Sequence, residues 1–181
     1  MRNAIIHNSN EDFVIAEPHD KVVEKIEYIE KLLTTPPKAL DTIARRDVHI
    51  ISADKSMREV IKEIANSGYS NLPVYKNNEL IGVANGQKIL DSLGKFLISG
   101  GKADVFLSSV KIEDMLSKLE NSNYYFVAPA SFTIEECLNE FNKNHKLLAI
   151  LFTKTGEKNQ MPLGIMTGAD VLKANKMLES Y

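Results

Sequence analysis

The stretch from Ser56 to Ser67 aligns without a gap on Thr133 to Asn144, and no other feature restricts the fold of this chain as much. Met57, Val60, Ile61 and Ile64 stand where the second stretch has Ile134, Cys137, Leu138 and Phe141. That spacing is the apolar face of a helix. The match runs on past the helix. Asn71-Leu72-Pro73-Val74-Tyr75 falls on Leu148-Ala149-Ile150-Leu151-Phe152, Gly82 on Gly164 and Leu90 on Leu172. Such a chain builds one supersecondary unit twice and packs the copies together, because a single unit cannot cover its own apolar face.

Both copies read in the same order. In copy one, a helical run Ala39–Ala44 leads to a strand, Val48–Ile51, and a turn at Ser52–Asp54 opens the repeated helix. Gly68–Asn71 closes it, and strands Leu72–Tyr75 and Leu80–Ala84 flank a hairpin turn at Lys76–Glu79. A second helix starts near Gly86. Copy two runs from Ile112–Leu116 through a strand at Tyr124–Val127, the helix, a strand at Leu148–Phe152 and a longer polar loop to its last strand and helix. The expected class is α/β (α+β), two tandem β-α-β-β-α repeats behind an N-terminal helical extension. The expected divisions are residues 1–37 for the extension, 38–94 for repeat one, 95–109 for a linker or insertion and 110–181 for repeat two.

Within the extension, Phe13–Ile15 suits a short strand, and Val22, Ile26, Ile29 and Leu33 mark an amphipathic helix that stops before Pro36-Pro37. Ser99–Lys102 reads as a flexible loop, since its Gly-Gly-Lys lacks the spacing of a phosphate loop.

Composition excludes several classes of function. A net charge of −2 supplies no field for a polyanion, so no nucleic-acid partner is expected. No apolar run reaches membrane-spanning length and no secretion signal opens the chain, which predicts a cytoplasmic protein with no membrane partner. The single cysteine, Cys137, sits at an apolar helical position and reads as an inert buried thiol. His7, His19, His49 and His145 are scattered without metal-ligand spacing, and no nucleophile–base pair or carboxylate pair stands out. The expectation is a protein that is not an enzyme and needs no cofactor or metal.

The informative chemistry lies in Gly164-Ile165-Met166-Thr167-Gly168-Ala169-Asp170. A short apolar strand meets a helix with Thr167 as N-cap and Asp170 three residues on. Thr-x-x-Asp at this place suits a capping box. It equally suits a ligand, since free N–H groups at a helix start hold an anion and a carboxylate accepts from a diol.

The doubled strand–helix–strand–strand–helix unit, with Gly68–Val74 and Leu80–Val83 in copy one and Gly164–Asp170 in copy two, resembles a tandem pair of cystathionine-β-synthase (CBS) domains, the Bateman module. The resemblance covers about residues 38–178. It implies a stand-alone regulatory protein that binds an adenine nucleotide (AMP, ADP, ATP or cyclic di-AMP) between its repeats and signals to a protein target, as a homodimer. An S-adenosylmethionine sensor and a ligand-free dimerisation module are the alternatives. It further implies that Asp170 holds the ribose hydroxyls, that Thr167 and Gly168 meet phosphate, that Ser70 or Asn71 reaches the same ligand, and that the base lies near Val127 and Ala128. Copy one departs from the pattern, with Asn85 in the place of Thr167 and Lys88 in that of Asp170. Lysine offers no acceptor to a diol. One adenosyl site per chain is therefore expected, with Arg45 and Arg46 either an exposed pair or its source of positive charge.

Overall fold

Helix α1, Asp20–Thr34, forms where the amphipathic pattern predicts it, with the His19 ring accepting from the N–H of Lys21. It belongs to a separate unit, residues 1–36. The computed structural model describes residues 19–119 and 123–179, and the strand expected at Phe13–Ile15 lies outside them.

The second unit is Pro37–Ser180. After the short α2 (Ala39–Thr42), copy one runs β1 (Ile51–Ser52), α3 (Met57–Ser67), β2 (Asn71–Lys76), β3 (Glu79–Asn85) and α4 (Gly86–Ile98). Two helices follow, α5 (Ala103–Ser109) and α6 (Ile112–Ser117). Copy two runs β4 (Tyr125–Pro129), α7 (Ile134–Lys143), β5 (Ala149–Thr153), β6 (Gly164–Thr167), a 3-10 turn at Gly168–Asp170 and α8 (Val171–Glu179). Each copy holds one three-stranded sheet, β1-β2-β3 and β4-β5-β6, with a parallel first pair and an antiparallel second pair.

Local chemistry sets the boundaries. Ser56 with Glu59 and Thr133 with Glu136 form matching capping boxes at the starts of α3 and α7. Gly68 ends α3 with φ 70°, a left-handed position that favours glycine. Asn77 and Asn78 turn the β2–β3 hairpin at φ 50° and 65°, as a tight primed turn requires.

The two copies exchange their leading helices. Ala39, Leu40 and Ile43 from copy one sit in the core of copy two, among Ile134, Cys137, Ile150 and Phe152. In return Ile112, Met115 and Leu116 complete the core of copy one around Met57, Val60, Leu72 and Val74. Backbone bonds secure both exchanges. Ala39 donates to Phe132 and Ile134 to Pro37, each at 3.0 Å; Met57 donates to Val110 at 3.0 Å and Ile112 to Lys55 at 2.9 Å. A third cluster joins the sheets, with Tyr75, Leu80 and Val83 packed against Tyr124, Tyr125, Leu151 and Ile165.

The repeated glycine makes room for this exchange. A Cβ on Gly82 would come within 2.9 Å of Leu116, and one on Gly164 within 2.5 Å of Leu40 and 3.1 Å of the Arg45 carbonyl. Each glycine faces the helix lent by the other copy.

One expectation needs correcting. The first strand of copy one is short, because Arg45 pairs with Ile165 of copy two and only Ile51 and Ser52 reach β2. The stretch 95–109, expected as a linker or insertion, is mostly helical. Lys95–Ile98 finish α4, and α5 plants Phe106, 2% exposed, against Phe96 at a ring separation of 5.5 Å.

Candidate functional site

The bridge between Arg45 and Ile165 creates the site. Each residue's N–H donates to the other's carbonyl at 2.9 Å, which lays the approach to β1 alongside β6. Asp47, Val48 and His49 then pass the end of β6, where Thr167 begins the turn into α8. The Gly68 turn brings Tyr69, Ser70 and Asn71 to the same place. The result is a cleft of about 120 Å³ with Ile165, Thr167 and Ala169 on its copy-two wall.

Charge in this cleft is mixed. The Arg45 guanidinium lies 5.9 Å from the centre of the Tyr69 ring, a cation–π arrangement. The Tyr69 hydroxyl donates to Asp47 at 3.4 Å. Behind them, Glu63 accepts from Lys55 at 2.8 Å and pairs with His49 at 3.0 Å. The Lys55 ammonium, and after it His49, holds the Glu63 carboxyl below its ordinary value of 4.5.

Thr167 and Asp170 form a capping box like those that open α3 and α7. The Thr167 backbone N–H and hydroxyl both donate to Oδ2 of Asp170, each at 2.9 Å. The hydroxyl oxygen also faces the N–H of Asp170, which completes a capping box at this turn. Asp170 is half-buried, and its second oxygen can still accept. Gly168 is exposed, and a Cβ there would meet nothing within 4 Å.

The remaining expected residues divide. Ser70 and Asn71 line the cleft with Thr167. The Ser70 side chain is exposed, while Asn71 Oδ1 accepts from Asn85 at 2.9 Å. Val127 and Ala128 are not part of this cleft. Ala128 is fully buried in the core of copy two, and Val127 packs where the sheets meet. The reason is topological: the wall opposite Thr167 comes from copy one, through Val48 and His49, which precede the paired part of the strand. Arg45 lines the cleft, whereas Arg46 turns away to pair with Asp41 at 2.7 Å. Asp47, His49 and Tyr69 were not foreseen. Only their position beside a bridge between the copies marks them, and that bridge is invisible in the sequence.

Asn85 is 8% exposed and acts as a cap. Its Oδ1 accepts from the N–H groups of Gln87 and Lys88 at 3.0 and 3.3 Å, and its Nδ2 donates to Ser70 and Asn71. Among the described residues no group of three or more His, Cys, Asp or Glu side chains could hold a metal ion, and no helix is long and apolar enough to cross a membrane.

The CBS domain profile matches residues 40–95. No curated protein sequence matches the chain significantly. Solved structures share the fold. CBSX2 in complex with AMP superposes with a TM-score of 0.57 at 16% identity, over 79% of this chain and 98% of that one. The CBS domain of a bacterial CNNM/CorC family Mg2+ transporter in complex with ATP gives 0.57 at 18%, over 85% and 96%. MJ1225 from Methanocaldococcus jannaschii gives 0.60 at 19%, over 91% of this chain and 56% of its own.

Proposed function

We propose that this chain, with a CBS domain at residues 40–95 and the fold of a CBS pair, binds an adenine nucleotide in the cleft between Arg45, Tyr69 and Thr167 and signals occupancy to a protein partner. The observation that carries this reading is the meeting of Thr167 and Ala169 from copy two with Ser70 and Asn71 from copy one at a single cleft. AMP in CBSX2 and ATP in the transporter domain, both of the same fold, support the ligand class. Asp170 would present its second oxygen to the ribose diol, the turn after Thr167 its N–H groups to phosphate, and Arg45 a further positive charge. In this reading the protein is a regulator and not an enzyme. Leu90 and Leu172, 60% and 65% exposed at equivalent places on α4 and α8, would form its homodimer surface.

Isothermal titration with AMP, ADP, ATP, cyclic di-AMP and S-adenosylmethionine tests the reading. We expect one of them to bind below millimolar concentration and Asp170→Ala to abolish that binding. Binding of none, or binding indifferent to Asp170→Ala, would overturn it. The ligand-free alternative draws on two observations. The cleft is smaller than the roughly 300 Å³ of an ordinary ligand pocket, and the turn itself already satisfies one Asp170 oxygen.

A further inference from the structure

The twofold relation between the repeats supplies a second cleft, and its chemistry is unlike the first. Val74 pairs with Ile51 and its counterpart Leu151 with Val127, so Tyr124 stands where copy one has Val48 and Asn123 where it has Asp47. The gapless helix alignment puts Lys146 in the place of Tyr69, and the closing turns put Lys88 in that of Asp170. Asn123, Tyr124, Lys88 and Lys146 do come together, with Lys95, Lys118 and Leu119, around a cleft of about 220 Å³. Both carboxylate positions have been replaced, one by an amide and one by an ammonium.

Four lysines thus face one cavity in a chain whose net charge is −2. None of the four pairs with a carboxylate among the described residues, although Lys55, Lys76 and Lys143 all do so elsewhere. Lys88 is half-buried, with its ammonium 5.5 Å from the centre of the Tyr124 ring. That ring is a fixed floor: Tyr124 is 4% exposed and its hydroxyl donates to the Val83 carbonyl at 3.0 Å. Like charges gathered this way repel one another unless an anion lies between them. Lysine ammoniums act as point charges with three donors each, so they suit phosphate oxygens and cannot accept from a sugar diol.

We propose that this cleft binds the phosphate chain of a di- or triphosphorylated ligand through Lys88, Lys95, Lys118 and Lys146, without reading a ribose. The proposal does not rest on the nucleotide reading of the Thr167 cleft. A free inorganic polyphosphate and the tail of a nucleoside triphosphate share this chemistry, and competition separates them.

The test is titration of the full chain with inorganic tripolyphosphate and pyrophosphate. We expect sub-millimolar binding of one equivalent that weakens as salt is raised to about 150 mM, where exposed charges are largely screened. Lys88→Ala with Lys146→Ala should cost at least about tenfold in affinity, given what charged hydrogen bonds contribute. Lys88→Arg should retain most of it, and Asp170→Ala should leave it unchanged. ATP competing where adenosine does not would assign the site to a triphosphate tail; failure of ATP to compete would assign it to free polyphosphate. If the double variant does not fold, Lys95→Ala with Lys118→Ala, both exposed, replaces it. Absence of tripolyphosphate and pyrophosphate binding below millimolar at low salt would overturn the proposal. So would binding that survives both double variants, or sulfate binding as tightly as tripolyphosphate.

Discussion

Thr167 gives both its backbone N–H and its hydroxyl to one oxygen of Asp170, at 2.9 Å in each case. One carboxylate therefore ties the turn into α8 together and keeps a second oxygen for another partner. The structural role uses one oxygen of this side chain and leaves the other for the ligand role proposed above.

This separation can be measured. Asp170→Asn keeps an acceptor for the Thr167 donors and should change stability little, while weakening nucleotide binding. Asp170→Ala removes the acceptor altogether and should cost about 0.5–2 kcal/mol, the usual range for a lost cap. Thermal melts of the two variants beside titration would show binding and stability parting company. Equal melting losses in both would mean that the carboxylate charge, rather than any acceptor, holds the turn.

Gly164→Ala should destabilise the fold by about 1–3 kcal/mol, as overpacking does. The added methyl would press on Leu40 and on the Arg45 carbonyl, which is backbone and cannot rotate away. Gly82→Ala should cost less, since only the Leu116 side chain opposes it. A cycle combining Gly82→Ala with Leu116→Ala should show favourable coupling in denaturant unfolding, because the two sites touch.

Cys137 is fully buried in the core of copy two, and burial pushes its thiol up to about 12. The native protein should therefore resist alkylation at about pH 8, where a free thiol is partly ionised. One equivalent should label in guanidinium. Rapid labelling of the native protein would mean that α7 opens readily.

Glu63 sets a pH dependence. Because Lys55 and His49 lower its pKa in the folded protein, it stabilises the fold above its ordinary value of 4.5, and this contribution fades as the pH falls through the native value. Glu63→Gln should therefore lower the melting temperature near neutrality and make no difference in acid. It also frees His49 at the cleft wall, so nucleotide affinity should fall with it. Parallel melting curves of variant and parent at all pH values would contradict this account.

The parts of the fold that could be read in advance were those governed by local pattern. The gapless pair of helices, the Asn77-Asn78 turn and the Gly68 stop all depend on residues close in the chain. The exchange of α2 and α6 depends on which of two similar cores each helix prefers, and apolar spacing is silent on that choice. The same gap put Val127 and Ala128 at the expected site, whereas the cleft beside Thr167 does not include them. Thr167 and Asp170 carry a motif within one turn, but their opposite wall is built by Val48, His49 and Tyr69, far away in sequence. Lys88 was legible as a departure from the motif; its company of Lys95, Lys118 and Lys146 was not.

The crossed helices also bear on how the molecule is made. When the ribosome has finished β3, the copy-one sheet has all three strands but still lacks Ile112, Met115 and Leu116 over its core. The helix it would otherwise use, α2, is held for a core whose first strand does not yet exist. Copy one must therefore wait, partly uncovered, until Ser117 has left the exit tunnel, and α2 must wait until α8 is complete. Contacts of such long sequence separation slow folding. A nascent chain stalled after Ile98 should be readily digested by protease and bound by chaperones, and one stalled well past Ser117 much less so.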